Sequence, residues 1–299
     1  MKMQVRELTT ERRNRATENL DRMGSLELVT AMNREDAVVP RAIAKVLPEI
    51  ARAVDLVADH LAQGGRLIYV GSGTSGRIGA LDASECSPTF GVSAKMVQFV
   101  IAGGERALVT ATEASEDSTA MGRKDMAARR PGKRDVVVGL AASGYTPYTI
   151  SALEYARSKG AATIAIAFNR NSAIGKIADL GIETEVGPEV LAGSSRLKAG
   201  TAEKLICNML TTGAMTRLGY VYSNLMVNLK LTNKKLMQRG MTILQELTGV
   251  GRDEAAAILE KADRSMPLAL VMLKTGASKA ESARRLHRAK GNVRKAIEG

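Results

Sequence analysis

Three hydroxyls threaded between three glycines, Gly71-Ser72-Gly73-Thr74-Ser75-Gly76, directly follow a short apolar run from Leu67 to Val70. Glycine lets the backbone turn tightly and bring its N–H groups close to a ligand. A helix opening behind such a loop offers unpaired N–H donors and a partial positive charge, which suits an anion such as phosphate. The segment behind this loop can form a helix, and it ends near a carboxylate, Glu85, beside Cys86. The chemistry suggested is a phosphate monoester held at the loop with an acid just beyond it. No lysine follows Gly76, so the stretch is not a Walker A loop. The ribose-binding acid of a dinucleotide site is not evident either. The bland alternative, an ordinary strand-to-helix turn, stays open on these residues alone.

Two further loops carry hydroxyls, Ala141 to Tyr148 with Ser143 and Thr146, and Gly193-Ser194-Ser195-Arg196. The candidate binding set is therefore Ser72, Gly73, Thr74, Ser75, Ser143, Thr146, Ser194 and Ser195. A second carboxylate, Glu116, lies in Thr112-Glu-Ala-Ser-Glu116-Asp117. Glu85 and Glu116 could serve as a general acid/base pair where burial tunes them. Capping or dipole partnership at a helix start describes Glu113, Glu116 and Asp117 equally well. The two histidines, His60 and His287, adjoin none of these loops, so a His-based triad or metal site gains no support. Cys86 reads as a small buried hydrophobe. No cofactor motif emerges.

The elements that must position these groups alternate. Pro40 opens an amphipathic helix through Ile43, Val46, Leu47, Ile50, Val54, Val57 and Leu61, with Pro48 predicting a kink or break inside it. Strands are predicted at 66–70, 95–101, 135–140 and 162–168, and a weaker one at 182–186. Helices are predicted at 105–112, 116–129, 147–159 and 197–218. This alternation argues for an α/β fold with a parallel sheet covered by helices on both faces. Ligands in such sheets bind outside the carboxyl ends of the strands, where the first two hydroxyl loops fall. Beyond about Arg239 the strands stop. Short helices at 245–247, 253–262, 267–274, 278–287 and 293–298 suggest a small helical bundle, dividing the chain into 1–239 and 240–299.

Composition narrows the class. The chain of 299 residues is 45% hydrophobic and 25% charged, with a net charge of +12, two cysteines and no tryptophan. Aromatics at 3% speak against a single-stranded nucleic-acid platform, and the surplus charge reads as solvated helix faces. Two isolated thiols suit a reducing compartment, the N-terminus lacks an apolar signal region, and no apolar stretch reads as a membrane span. A cytoplasmic location with no membrane partner is expected.

Leu67-Ile-Tyr-Val-Gly-Ser-Gly-Thr-Ser-Gly-Arg-Ile-Gly, Leu81-Asp-Ala-Ser-Glu-Cys, Ile101-Ala-Gly-Gly-Glu, Val136-Val-Val-Gly, Gly193-Ser-Ser-Arg-Leu-Lys-Ala-Gly-Thr-Ala, and Asn224-Leu-Met-Val with Thr232-Asn-Lys-Lys-Leu, all stand in order along the chain. Together they resemble the N-acetylmuramic acid 6-phosphate etherase family. The resemblance implies a sugar-isomerase (SIS) fold, a homodimer, no cofactor and no metal. It also implies cleavage of the lactyl ether of N-acetylmuramic acid 6-phosphate by water to N-acetylglucosamine 6-phosphate and D-lactate. It places the proton donor on Glu85 and the second catalytic glutamate on Glu116. The family's Glu-Gly-Ala-Glu-Asp reads Glu113-Ala-Ser-Glu-Asp here, and Tyr145 stands where the family commonly carries arginine. An acid working at neutral pH calls for burial around Glu85. A sugar-phosphate isomerase and a non-catalytic sugar-phosphate sensor on the same fold are the competing readings.

Overall fold

The computed structural model describes residues 8–110, 115–231 and 233–299. It divides into two compact units. One comprises residues 1–83 and 95–211, and the other residues 84–94 and 212–299. Among the described residues no helix is long and apolar enough to cross a membrane.

The first unit is built on five parallel strands: β1 (Leu67–Gly71), β2 (Val97–Ile101), β3 (Val136–Leu140), β4 (Ala162–Ala167) and β5 (Leu180–Glu183). Their order is β2-β1-β3-β4-β5. Every residue of β1 and β3 is buried, which is why both read as unbroken apolar runs. Gly71 pairs with Ile101 on one side and Leu140 on the other, so three strands end in line. The chain moves outward from β1 in opposite directions, and the space between the ends of β1 and β3 is the switch point where such sheets take ligands.

Helices cover both faces. Three precede β1: α1 (Ser25–Asp36), α2 (Val39–Ala44) and α3 (Leu47–Ala62). The predicted break at Pro48 falls between α2 and α3, with Pro48 in the first turn of α3, where its missing N–H costs nothing. On one face α5 (Thr119–Arg129) and α6 (Pro147–Ser158) enclose Met126, Tyr148, Leu153, Val70, Val137 and Ile174. On the other, α4 (Gly73–Phe90) starts immediately after β1. A Cβ on Gly79 would meet Tyr69 Cβ at 2.8 Å and Leu140 Cδ1 at 3.0 Å, so α4 lies directly on β1 and β3. Between β4 and β5 runs the short α7 (Ala173–Ile177), and α8 (Lys198–Leu218) follows β5.

Several sequence boundaries shift. The helix expected over 105–112 is a 3₁₀ turn, Glu105–Leu108, and residues 111–112 lie outside the described ones. The helix expected from Glu116 starts at Thr119, because the Ser118 hydroxyl accepts from the Met121 N–H and caps it there. The last strand ends at Glu183, three residues short of Val186, because pairing follows β4 from Ile164 to Ala167.

The second unit carries α9 (Lys234–Thr248), α10 (Arg252–Lys261), α11 (Met266–Thr275), α12 (Lys279–Arg288) and α13 (Val293–Glu298) around Leu244, Leu259, Leu270 and Val293. The expected division at 239/240 falls inside α9, whose start is fixed by Asn233 accepting from the Leu236 N–H.

Gly79→Ala tests how closely α4 approaches the sheet. Overpacking of a fixed core costs about 1–3 kcal/mol, so thermal denaturation should show a clear fall in Tm. An unchanged Tm would contradict the contact.

Candidate functional site

The first hydroxyl loop is already the first turn of a helix. The Gly76 N–H donates to the Ser72 carbonyl at 3.1 Å, so Gly73 to Gly76 belong to α4. A Cβ on Gly71 would lie 2.8 Å from Gly76 N, and one on Gly76 would lie 2.6 Å from Ile101 Cγ1. These two glycines let the helix start sit against the strand ends. Gly73, at φ +52, has open space where a Cβ would stand, and its backbone conformation favours glycine. Packing thus accounts for Gly71 and Gly76, while Gly73 supplies the left-handed backbone at the start of the helix.

The three hydroxyls of this loop face different surroundings. The Ser72 hydroxyl donates to Glu116 Oε2 at 3.2 Å. Thr74 stands beside the first turn of α8, its Cγ2 3.4 Å from where a Cβ on Gly200 would be. Ser75 is buried, and its hydroxyl donates to Glu203 Oε1 at 2.7 Å.

Glu116 is fastened twice. Besides the bond from Ser72, its backbone carbonyl accepts from the Tyr148 N–H at 3.0 Å, in the first turn of α6. A half-buried carboxylate thereby stands between the loop after β1 and the loop after β3, at the switch point of the sheet. In the second loop the Ser143 hydroxyl accepts from the Tyr145 N–H at 3.2 Å, and the Ser143 carbonyl accepts from Asn169 Nδ2 at 3.1 Å. Thr146 occupies the N-cap of α6 without a capping side-chain bond, leaving its hydroxyl unused by the helix end.

Ser194 and Ser195 form the turn before α8, where the Ser195 carbonyl accepts from the Gly200 N–H at 2.9 Å. The start of α8 is held by Glu189, fully buried, which accepts from the Lys198 and Ala199 N–H groups at 2.9 Å each. Burial pushes the Glu189 carboxyl up, against those two bonds. Lys198, itself buried, reaches Glu35 at 2.6 Å.

Glu85 lies about three helical turns beyond the first loop along α4, is exposed, and belongs to the second unit. The burial expected around it is not supplied by the described residues. The structure therefore brings Ser72 and Glu116 together, sets Ser75 and Thr74 in the same helical turn beside α8, and leaves Glu85 open to solvent.

Among the buried carboxyls that sequence reasoning missed, Asp82 and Glu203 join α4 to α8. Asp82 accepts from Tyr69 (2.8 Å), Asn208 (2.7 Å) and Thr211 (3.1 Å). Burial raises it, and these bonds together with Lys204 oppose the rise. Glu203 is fully buried, and burial pushes its carboxyl up to about 8 against the bond from Ser75. Its second oxygen, Oε2, has no hydrogen-bond partner among the described residues. The signal was present: Ala199, Ala202, Ile206 and Leu210 form a buried helical stripe, and Glu203 is the carboxylate within it.

The profile of the glucokinase regulatory protein N-terminal SIS domain matches residues 49–157. An N-acetylmuramic acid 6-phosphate etherase from Oenococcus oeni is 51% identical over 295 residues, spanning 99% of each chain. One from Yersinia pestis is also 51% identical, over 99% of this chain and all of its own. Among solved structures, a phosphoheptose isomerase from Francisella tularensis superposes with a TM-score of 0.53 at 20% identity, covering 65% of this chain and all of its own. That likeness speaks for the fold alone.

Because Glu203 keeps a proton in the folded chain that the unfolded chain gives up, stability falls as pH rises from the ordinary carboxyl range toward about 8. Glu203→Gln removes this loss. The Tm of the variant minus that of the wild type should grow between pH 5 and pH 8. A difference that stays constant would contradict the assignment.

Proposed function

The chain belongs to the N-acetylmuramic acid 6-phosphate etherase family, and from that premise we propose that it is a carbon–oxygen lyase. It cleaves the lactyl ether of N-acetylmuramic acid 6-phosphate with water, giving N-acetylglucosamine 6-phosphate and D-lactate. The observation that supports the reading is Ser72 donating to Glu116, so that a carboxylate stands beside the helix start proposed to take the anion.

The start of α4, with Ser72, Gly73, Thr74 and Ser75, receives the phosphate, and Ser143, Thr146, Ser194 and Ser195 complete the binding set. A helix N-terminus supplies N–H donors and positive potential for such an anion. With the phosphate anchored there, the open-chain sugar extends across the switch point past Glu116. In the aldehyde form the C2 proton is adjacent to a carbonyl, so a carboxylate base can remove it. Glu116 takes that proton, and the electron pair left on C2 forms the double bond to C3 as the C3–O bond breaks. Glu85 protonates the departing ether oxygen and, once ionised, activates the water that adds at C3, while Glu116 returns its proton to C2. Each such proton transfer contributes about 10²–10⁴-fold.

An acid at neutral pH needs cover, and Glu85 is exposed in the single chain. The protein works as a homodimer on this reading. Support for an apolar contact comes from α1, where no residue is buried while Leu26 is 79% and Val29 54% exposed. The enzyme acts in the cytoplasm, with no nucleic-acid or membrane partner.

The test is D-lactate release. The purified protein should liberate D-lactate from N-acetylmuramic acid 6-phosphate, and both Glu116→Gln and Glu85→Gln should lower the rate by at least about 10²-fold. An isomerase or a sensor would release none. Absence of lactate from the wild type would overturn the reading, and a fully active Glu85→Gln variant would remove Glu85 as the acid.

A further inference from the structure

Glu203 has no place in that mechanism, yet it touches the proposed phosphate turn. Its Oε1 lies 2.7 Å from Ser75 Oγ, a distance that fits donation in either direction. Among the described residues no bond joins it to a lysine or arginine and its Oε2 is unpaired, and it is 1% exposed. A charged carboxylate with one hydroxyl partner is costly in such a place, whereas the neutral acid is tolerated. The groups that face it are few. Ser75 stands on α4. Cys207, one turn along α8, has its thiol pushed well up by burial first, then by the negative charges of Asp82 and Glu203. Neither partner is a cation.

We propose that Glu203 is a positioning residue that holds a proton behind the phosphate turn and decides which way the Ser75 hydroxyl points. As the neutral acid it donates to Ser75 Oγ, which leaves the Ser75 proton free to turn toward an incoming phosphate oxygen. As the carboxylate it accepts that proton from Ser75 and sets a negative charge one hydroxyl away from a dianion. Binding of the phosphate monoester therefore requires the protonated form, and by linkage the bound phosphate helps retain that proton. Burial pushes this carboxyl up to about 8, so the exchange falls just above neutrality. The inference rests on the phosphate occupying the start of α4.

The experiment measures KM for N-acetylmuramic acid 6-phosphate, and Ki for inorganic phosphate as a competitive inhibitor, from pH 7 to pH 9. If only the protonated form binds, both constants, with Ki expressed per phosphate dianion, should rise by about tenfold across that range in the wild type, given protonation centred near 8. Glu203→Gln keeps an uncharged donor to Ser75, so both constants should stay level while kcat follows the wild-type profile. Glu203→Leu removes the donor, and its constants should be raised at every pH without an alkaline slope. A wild type whose Ki is flat to pH 9 would overturn the proposal whether or not the variants fold. So would a Glu203→Gln variant that retains the wild-type rise. Either result with D-lactate still released would sink the role of Glu203 and leave the etherase reading standing. Failure of inorganic phosphate to compete at any pH would instead count against the phosphate position itself.

Discussion

The close approach of α4 to the ends of three strands is the constraint on which the site depends. Gly71, Gly76 and Gly79 lack the Cβ atoms that would push this helix away from Ile101, Tyr69 and Leu140. Because the helix starts within the strand exit, its unpaired N–H groups open at the β1/β3 switch point rather than a turn further out. A helix N-terminus acts on anions over its first turn only, so a displacement of one turn would separate that potential from Glu116. The same contact brings Ser75 against α8 and Ser72 against Glu116.

Carboxyl groups then divide according to their surroundings. Glu116 is half-buried and shares a hydroxyl, which agrees with its proposed role as the base. Asp82 is buried but holds three side-chain donors, and it locks Tyr69 of β1 to α8 through Asn208 and Thr211. Glu203 is buried with one partner, so burial dominates and the proton stays. Burial raises Asp82 and Glu203 alike, and the donors around each oppose that rise.

Much of this was legible in the sequence. The unbroken apolar runs of β1 and β3 followed from burial on both faces, and Pro48 marked the break before α3. The hydroxyl loops were placed correctly at the carboxyl ends of the strands. What was not legible depends on distant pairing. Ser72 meets Glu116 across 44 residues, and Ser75 meets Glu203 across 128, so neither contact leaves a local pattern. The beginning of α9 was missed because its polar first turn hides the spacing of Leu236, Ile243 and Leu244, although Asn233 was an available cap. The surroundings of Glu85 also escaped the sequence, since apolar spacing reports which helix face packs and says nothing of where an exposed carboxylate finds cover.

In the proposed mechanism Glu116 removes the C2 proton at the switch point. Its most direct test follows deuterium entering C2 of N-acetylmuramic acid 6-phosphate in heavy water, with the Glu85→Gln and Glu116→Gln variants side by side. Exchange that persists in Glu85→Gln and vanishes in Glu116→Gln is the predicted result. Exchange at the wild-type rate in Glu116→Gln would contradict it.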